Sequence, residues 1–132
     1  MVNNNILSQR YVTDSINDIF SEEGKTLMER RIWLTVLKSQ FELGLGGITK
    51  EIINKYESNL NVIDLKRIGE IETITKHDVK AKIQAFNESA QISGNEEQIH
   101  RGMTSRDLTD NVEQYQILCA SKIIMGKKTS LL

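Results

Sequence analysis

The chain contains no proline in 132 residues, although proline is about one residue in twenty in average proteins. Proline interrupts helices because its ring fixes φ and because it lacks the backbone N–H that a helix needs. Its absence therefore indicates few loops and a nearly all-helical, all-α chain. A chain of this length has the size of one domain, and it can bury roughly two-thirds of its unfolded surface in one modest core.

The longest helical pattern lies in SEEGKTLMERRIWLTVLKSQFELGLGG, which starts at Ser21. Ser21 is a good N-cap, and Glu22 and Glu23 place negative charge in the first turn, where the helix dipole favours it. Apolar residues then recur at steps of three to four and predict one buried face. That face comprises Leu27, Met28, Ile32, Val36, Leu37 and Phe41, and the helix is expected to stop at the glycines Gly44, Gly46 and Gly47.

Shorter patterns predict further helices on both sides. The first ten residues look loosely held, and a short helix follows in VTDSINDIF. After the glycines, a helix opens at Thr49, a third is capped by Asp64, and a fourth lies in HDVKAKIQAFNESAQ. The last pattern runs from Thr104 to about Lys127 with Leu108, Val112, Tyr115, Cys119 and Ile123 on its apolar face.

The last pattern also has apolar residues on its other faces: Ile117, Leu118, Ile124 and Met125. A helix that is apolar on several sides needs several neighbours. We therefore expect the chain to stop before the partners of this helix are encoded.

Composition excludes several classes of function. A net charge of −1 and an aromatic content of 5% argue against a general nucleic-acid binder. No apolar run approaches the ~20 residues that span a bilayer. The N-terminus lacks the features of a signal peptide, and the single cysteine cannot form an internal disulfide. We expect a cytoplasmic protein with no nucleic-acid or membrane partner.

The stretch HRGMTSRD precedes the last helix. Thr104 to Asp107 fits the capping pattern [ST]-x-x-[DE], which favours a purely structural role. The free N–H groups at a helix N-terminus also attract carboxylates and phosphates, and the hydroxyls of Thr104 and Ser105 can add donors. Both roles stay open from the residues alone.

The two histidines, His77 and His100, each precede or start a predicted helix in a polar neighbourhood. A lone histidine of this kind is more often a surface residue, but two at helix starts favour a site that handles protons near neutral pH. The sequence lacks HExxH and CxxC, and its glycines lack the spacing of a nucleotide-binding loop. We expect no metal and no cofactor.

Three stretches taken together resemble a known family. RYVTDSINDIFSEEGKTLMERRIWLTVLKSQFELG, ETITKHDVKAKIQAF and HRGMTSRDLTDN are similar, in this order and at similar separations, to the amino-terminal part of adenylosuccinate lyases in the fumarase/aspartase superfamily. The resemblance covers nearly the whole chain. It implies a division into an amino-terminal helical domain, residues 1–103, and part of the first helix of the central helical bundle, residues 104–132.

The resemblance also implies an activity and a set of site residues. The reaction is a β-elimination that splits adenylosuccinate into AMP and fumarate, and likewise the succinylamino imidazole carboxamide nucleotide of purine synthesis. By matched position, His77 assists catalysis and Asp78 lies close to the nucleotide. The implied substrate-binding residues are Arg10 and Tyr11 for the phosphate, His100, and Thr104 and Ser105 for the succinyl end.

Two parts of the family's machinery have no counterpart in these residues. The proton-donating histidine and the proton-abstracting serine lie in later segments, and the family's site is shared among the subunits of a homotetramer. The resemblance therefore implies a lyase fragment that is inactive by itself. Two alternatives stay open: a small helical interaction module in which HRGMTSRD is only a cap, and another lyase of the superfamily.

Overall fold

A computed structural model describes residues 6–130 of the chain. The helices are α1 (Ile6–Tyr11), α2 (Asp14–Phe20), α3 (Glu22–Glu42), α4 (Lys50–Ser58), α5 (Leu65–Thr75), α6 (Asp78–Ser89) and α7 (Ser105–Thr129), with a single 3₁₀ turn at Gly94–Glu96. Residues 6–130 contain no β-strand, so the prediction of an all-α chain is confirmed. None of the helices in this range is long and apolar enough to cross a membrane.

The helices begin where the sequence places their caps. The side chain of Ser21 accepts a hydrogen bond from the Gly24 N–H, that of Thr49 from Ile52, and that of Asp64 from Arg67. These bonds satisfy backbone donors that have no partner inside the helix. The amino-terminal prediction was wrong in part, because residues 6–11 form α1; residues 1–5 lie outside the described range, as do residues 131–132.

The core forms around α3. Trp33, Leu34 and Leu37 of this helix pack with apolar side chains of α4, α6 and α7 in one buried cluster. Those partners include Ile52, Ile53, Tyr56, Val79, Phe86 and Leu108. A second, smaller cluster joins α5 to α6 through Ile68, Ile71, Ala81 and Ala85. The two clusters together fix α6 between α3 and α5.

The predicted buried face of α3 was mostly wrong. Leu37 is buried, but Leu27, Met28, Ile32 and Val36 are only half-buried and Phe41 is exposed. The buried residues are instead Thr26, Glu29, Arg30, Trp33, Leu34 and Leu37. Periodicity failed because two charged side chains enter the core with partners of their own, while Met28, Ile32 and Val36 line an open groove between α3 and α7.

The buried face of α7 also differs from the prediction in its second half. Leu108 and Val112 are buried as predicted, but the row continues through Gln116 and Ala120. Tyr115 is exposed, and Cys119 and Ile123 are half-buried. The reason is a specific bond, since the Gln116 side-chain amide donates to the Ile19 carbonyl of α2 at 2.7 Å. The apolar residues predicted on other faces, Ile117, Leu118, Ile124 and Met125, are all exposed.

The ion pair between Glu29 and Lys82 gives the first prediction. The Lys82 ammonium lies 2.8 and 2.7 Å from the two carboxylate oxygens of Glu29, whose side chain is 0% exposed. Lys82→Met leaves a buried charge without its partner, which costs about 3 kcal/mol of unfolding free energy. Urea denaturation followed by circular dichroism measures the loss.

Arg106→Met is the matched control, because Arg106 and Asp110 form an ion pair whose side chains are 79% and 51% exposed. Exposed pairs contribute little, so this variant should lose less than about 0.5 kcal/mol. Equal losses in the two variants would contradict the burial argument.

Candidate functional site

The two histidines and the start of α7 come together in the folded chain. His77 is the residue before α6, and His100 lies in the loop before α7. Burial lowers the pKa of His100, the Asp107 carboxylate raises it, and the positive charge of His77 lowers it. His77 and Asp107 are therefore near enough to His100 for their charges to act on its imidazole. The structure thus brings together residues that are 23 positions apart in sequence.

His100 is positioned by its backbone conformation, by Trp33 and by a bond to the next residue. Its backbone is left-handed, with φ of 63°, a conformation that non-glycine residues adopt at a cost in strain. The indole Nε1–H of Trp33 donates to His100 Nδ1 at 3.0 Å, and the two rings meet edge to face with centroids 5.9 Å apart. The next residue is held as well, because the Gln40 side-chain amide donates to the Arg101 carbonyl at 3.1 Å.

His77 is held by the helix that it caps. Its Nδ1 accepts a hydrogen bond from the Lys80 N–H at 3.3 Å and lies 3.6 Å from an Asp78 carboxylate oxygen. The preceding residue, Lys76, turns the chain between α5 and α6 in a left-handed conformation with φ of 53°. The His77 side chain is 51% exposed. Its position is thus fixed by backbone geometry while its ring remains open to solvent.

The N-terminus of α7 carries the predicted cap. The Thr104 N–H donates to the Asp107 carboxylate at 2.8 Å, so the reciprocal acid of the capping pattern is confirmed. Ser105 is the first helical residue and is half-buried. The turn before it is tight, because the Met103 N–H donates to the His100 carbonyl and Gly102 has φ of 74°. This turn places His100 close to the N-terminus of α7.

Arg10 and Tyr11 are not joined to this site. They are the last two residues of α1, and both are exposed, Tyr11 by 75%. Among residues 6–130, no hydrogen bond, ion pair or ring contact links either of them to His77 or His100. Their role in holding a phosphate stays a prediction.

Sequence reasoning missed Trp33. It is the only tryptophan of the chain, it lies 67 positions from His100, and its side chain is only 1% exposed. A buried indole needs an acceptor for its N–H. The presence of a tryptophan in a helical pattern was the one feature of the sequence that indicated a polar partner. The identity of that partner depends on the fold.

The site combines donors that suit an anionic ligand. In each histidine, Nδ1 accepts a bond from the protein, so the proton of the neutral ring lies on Nε2. Two Nε2–H donors therefore accompany a helix N-terminus, which attracts carboxylates and phosphates. Within residues 6–130 there is no group of three or more His, Cys, Asp and Glu side chains that could hold a metal ion.

Comparison with known proteins gives a consistent set of relatives. No family model matches the sequence. The chain is 36% identical, over 95% of its length, to the adenylosuccinate lyase of Methanocaldococcus jannaschii, and 30% identical over 96% to that of Saccharomyces cerevisiae. The adenylosuccinate lyase of Streptococcus mutans is 35% identical over 87% of the chain. The chain spans about a quarter of the length of these relatives.

The lowered pKa of His100 predicts how stability depends on pH. The folded chain binds fewer protons than the unfolded chain between this lowered pKa and the ordinary value of 6.5. The contribution of His100 to stability is therefore complete above pH 6.5 and is lost as the pH falls through the lowered pKa. We expect the unfolding free energy, from urea denaturation, to fall between pH 7 and pH 5.5.

His100→Asn should reduce this fall, because asparagine tolerates the left-handed backbone and keeps an acceptor for Trp33 but does not titrate. His77→Asn keeps a good N-cap and removes only the smallest of the three effects on the pKa of His100, so it should reduce the fall less than His100→Asn does. An unchanged pH dependence in His100→Asn would show that this imidazole is not the group responsible.

Proposed function

Because the chain belongs to the adenylosuccinate lyase family, we propose that it supplies part of the substrate site of such an enzyme, which cleaves adenylosuccinate to AMP and fumarate. The all-α structure of residues 6–130 agrees with the helical domain of that superfamily. The observation that carries the proposal is that His100, which Trp33 holds, lies in the tight turn directly before the capped N-terminus of α7.

The roles follow the chemistry of these groups. We assign the α7 N-terminus, with Thr104 and Ser105, to the succinyl carboxylates, because this end of the helix presents backbone donors and a positive dipole. His100 donates its Nε2–H to the substrate. His77, which is half-exposed and lies beside Asp78, assists the proton chemistry.

Arg10 and Tyr11 complete the proposed site by binding the nucleotide phosphate. They need not touch the histidines, because the phosphate and the succinyl group lie at opposite ends of the substrate. The substrate of the second family reaction, the succinylamino imidazole carboxamide ribonucleotide, is an imidazole nucleotide with the same succinyl and phosphate groups, and it uses the same residues.

The wider setting is part of the same proposal. Residues 1–103 form an amino-terminal domain, and residues 104–132 begin a helical bundle that four subunits share in a cytoplasmic homotetramer. The principal acid and base of the elimination come from other segments. The exposed apolar side chains of α7, Ile117, Leu118, Ile124 and Met125, agree with a helix that has further neighbours in such a bundle.

A chimera tests this proposal directly. The segment of the Methanocaldococcus jannaschii lyase that aligns with this chain is replaced by residues 1–132, and adenylosuccinate cleavage is followed by ultraviolet absorbance. We expect activity from the chimera and none from residues 1–132 alone. Adding AMP or fumarate should inhibit the chimera as products.

Two other results would favour a different function. A folded, assembled chimera without activity would favour the second candidate, an interaction module, which the exposed apolar faces of α7 support. A chimera that prefers another amino-succinate substrate in competition would identify a different lyase of the superfamily.

Ser105→Ala separates the cap from the site. Ser105 is the first residue inside α7, after the N-cap position, so its loss should cost less than about 0.5 kcal/mol of stability. If its hydroxyl binds the succinyl group, the chimera should lose about 10²-fold in activity, as when an oxyanion donor is removed. Circular dichroism and turnover measure the two effects.

Ser39→Ala is the control, because Ser39 is an exposed serine on α3 whose hydroxyl bonds only to the Thr35 carbonyl. It should change neither quantity. Full activity in Ser105→Ala would leave the hydroxyl without a role in binding.

A further inference from the structure

The bond between Trp33 and His100 carries chemical information beyond its contribution to packing. The indole nitrogen lies 3.0 Å from His100 Nδ1, and an indole N–H can only donate. Nδ1 must therefore be unprotonated to accept this bond. A neutral imidazole whose Nδ1 is unprotonated has its proton on Nε2. The contact therefore selects one of the two neutral tautomers and disfavours the doubly protonated ring.

The surrounding structure keeps the indole from turning away. Trp33 is 1% exposed, and its ring stacks on that of Phe86 with centroids 6.5 Å apart and an interplanar angle of 27°. The Arg30 guanidinium covers the Phe86 ring at 4.2 Å from its centroid. The donor is thus fixed by a stack that reaches from α3 to α6.

The acceptor is equally constrained. His100 has a left-handed backbone, and its carbonyl accepts from the Met103 N–H within the turn that leads to α7. The neighbouring Arg101 carbonyl is bound by Gln40. Both partners are therefore held before any ligand arrives, which is the arrangement that lets a hydrogen-bond donor act without reorganisation.

We propose that Trp33 is a positioning residue that holds His100 as a neutral Nε2–H donor for an acceptor oxygen of the bound substrate. This inference rests on the proposed function in its last clause, since the substrate is that of the lyase. It assigns a role to a buried side chain that touches no ligand. The role is to set which nitrogen of His100 carries the proton.

Nitrogen-15 NMR of the labelled chain tests the tautomer without any substrate. Long-range ¹H–¹⁵N correlations distinguish the two neutral tautomers of His100, and a scalar coupling across the hydrogen bond between the Trp33 and His100 nitrogens reports the contact in the unaltered protein. We expect the Nε2–H tautomer and a measurable coupling. A His100 with its proton on Nδ1 would overturn the proposal.

Trp33→Phe removes the donor and keeps an aromatic ring in the stack. We expect His100 to become a mixture of tautomers in this variant. Phe86→Leu is the matched control, because it loosens the same stack but keeps the indole N–H, and it should retain the Nε2–H tautomer. If Trp33→Phe does not fold, replacing the indole by its benzothiophene isostere removes only the N–H. An unchanged tautomer in the folded variant would overturn the proposal.

The active chimera described above tests the consequence for the substrate. Trp33→Phe should raise KM for adenylosuccinate about tenfold, the effect of one well-placed hydrogen bond, with a smaller change in kcat. A merely structural loss would lower the fraction of active enzyme and leave KM unchanged, which would overturn the positioning role. If the parent chimera is inactive, the proposed function fails while the NMR result still decides the tautomer.

Discussion

The buried guanidinium of Arg30 is the interaction on which the rest of the structure depends. It donates to three carbonyls in the turn between α4 and α5, those of Asn59, Leu60 and Val62, at 3.0, 3.3 and 2.7 Å. The same group lies over the Phe86 ring of α6. Burial lowers its pKa to about 10, so it remains charged at neutral pH. One side chain of α3 therefore ties the turn between α4 and α5, and also α6, to this helix, and it fixes the ring against which Trp33 stacks.

How much of the fold the sequence predicts depends on how far apart the interacting residues lie. The caps of α3 and α5 and the start of α4 were predicted correctly because a cap and its donor are three residues apart. The buried face of α3 was not, because apolar periodicity assigns Glu29 and Arg30 to solvent. Their partners lie 53 and about 30 positions away in the sequence. No local pattern shows that a charged residue is buried together with a partner from a distant segment.

The candidate site divides in the same way. The residue types were recognisable in the sequence, and the capping pattern from Thr104 to Asp107 is local and was confirmed in its acid half. The proximity of His77 to His100 and the bond from Trp33 depend on α3, α6 and α7 packing together, so the sequence contains no direct sign of them. For Arg10 and Tyr11 the family resemblance implies a role in the same site. It does not indicate where these two residues lie relative to the histidines in the fold.

A cap and a binding site need not compete, because the structural bonds and the exposed donors use different atoms. His77 uses Nδ1 to hold α6, and His100 uses Nδ1 to accept from the indole. In both rings Nε2 is the remaining nitrogen, and the structural bond determines that it carries the proton. The hydrogen bonds that stabilise the fold therefore also determine which nitrogen can donate to a ligand. Removing a whole imidazole removes the structural bond and the donor together. Only replacements that keep the acceptor, such as asparagine at either position, separate the contribution to stability from the contribution to recognition.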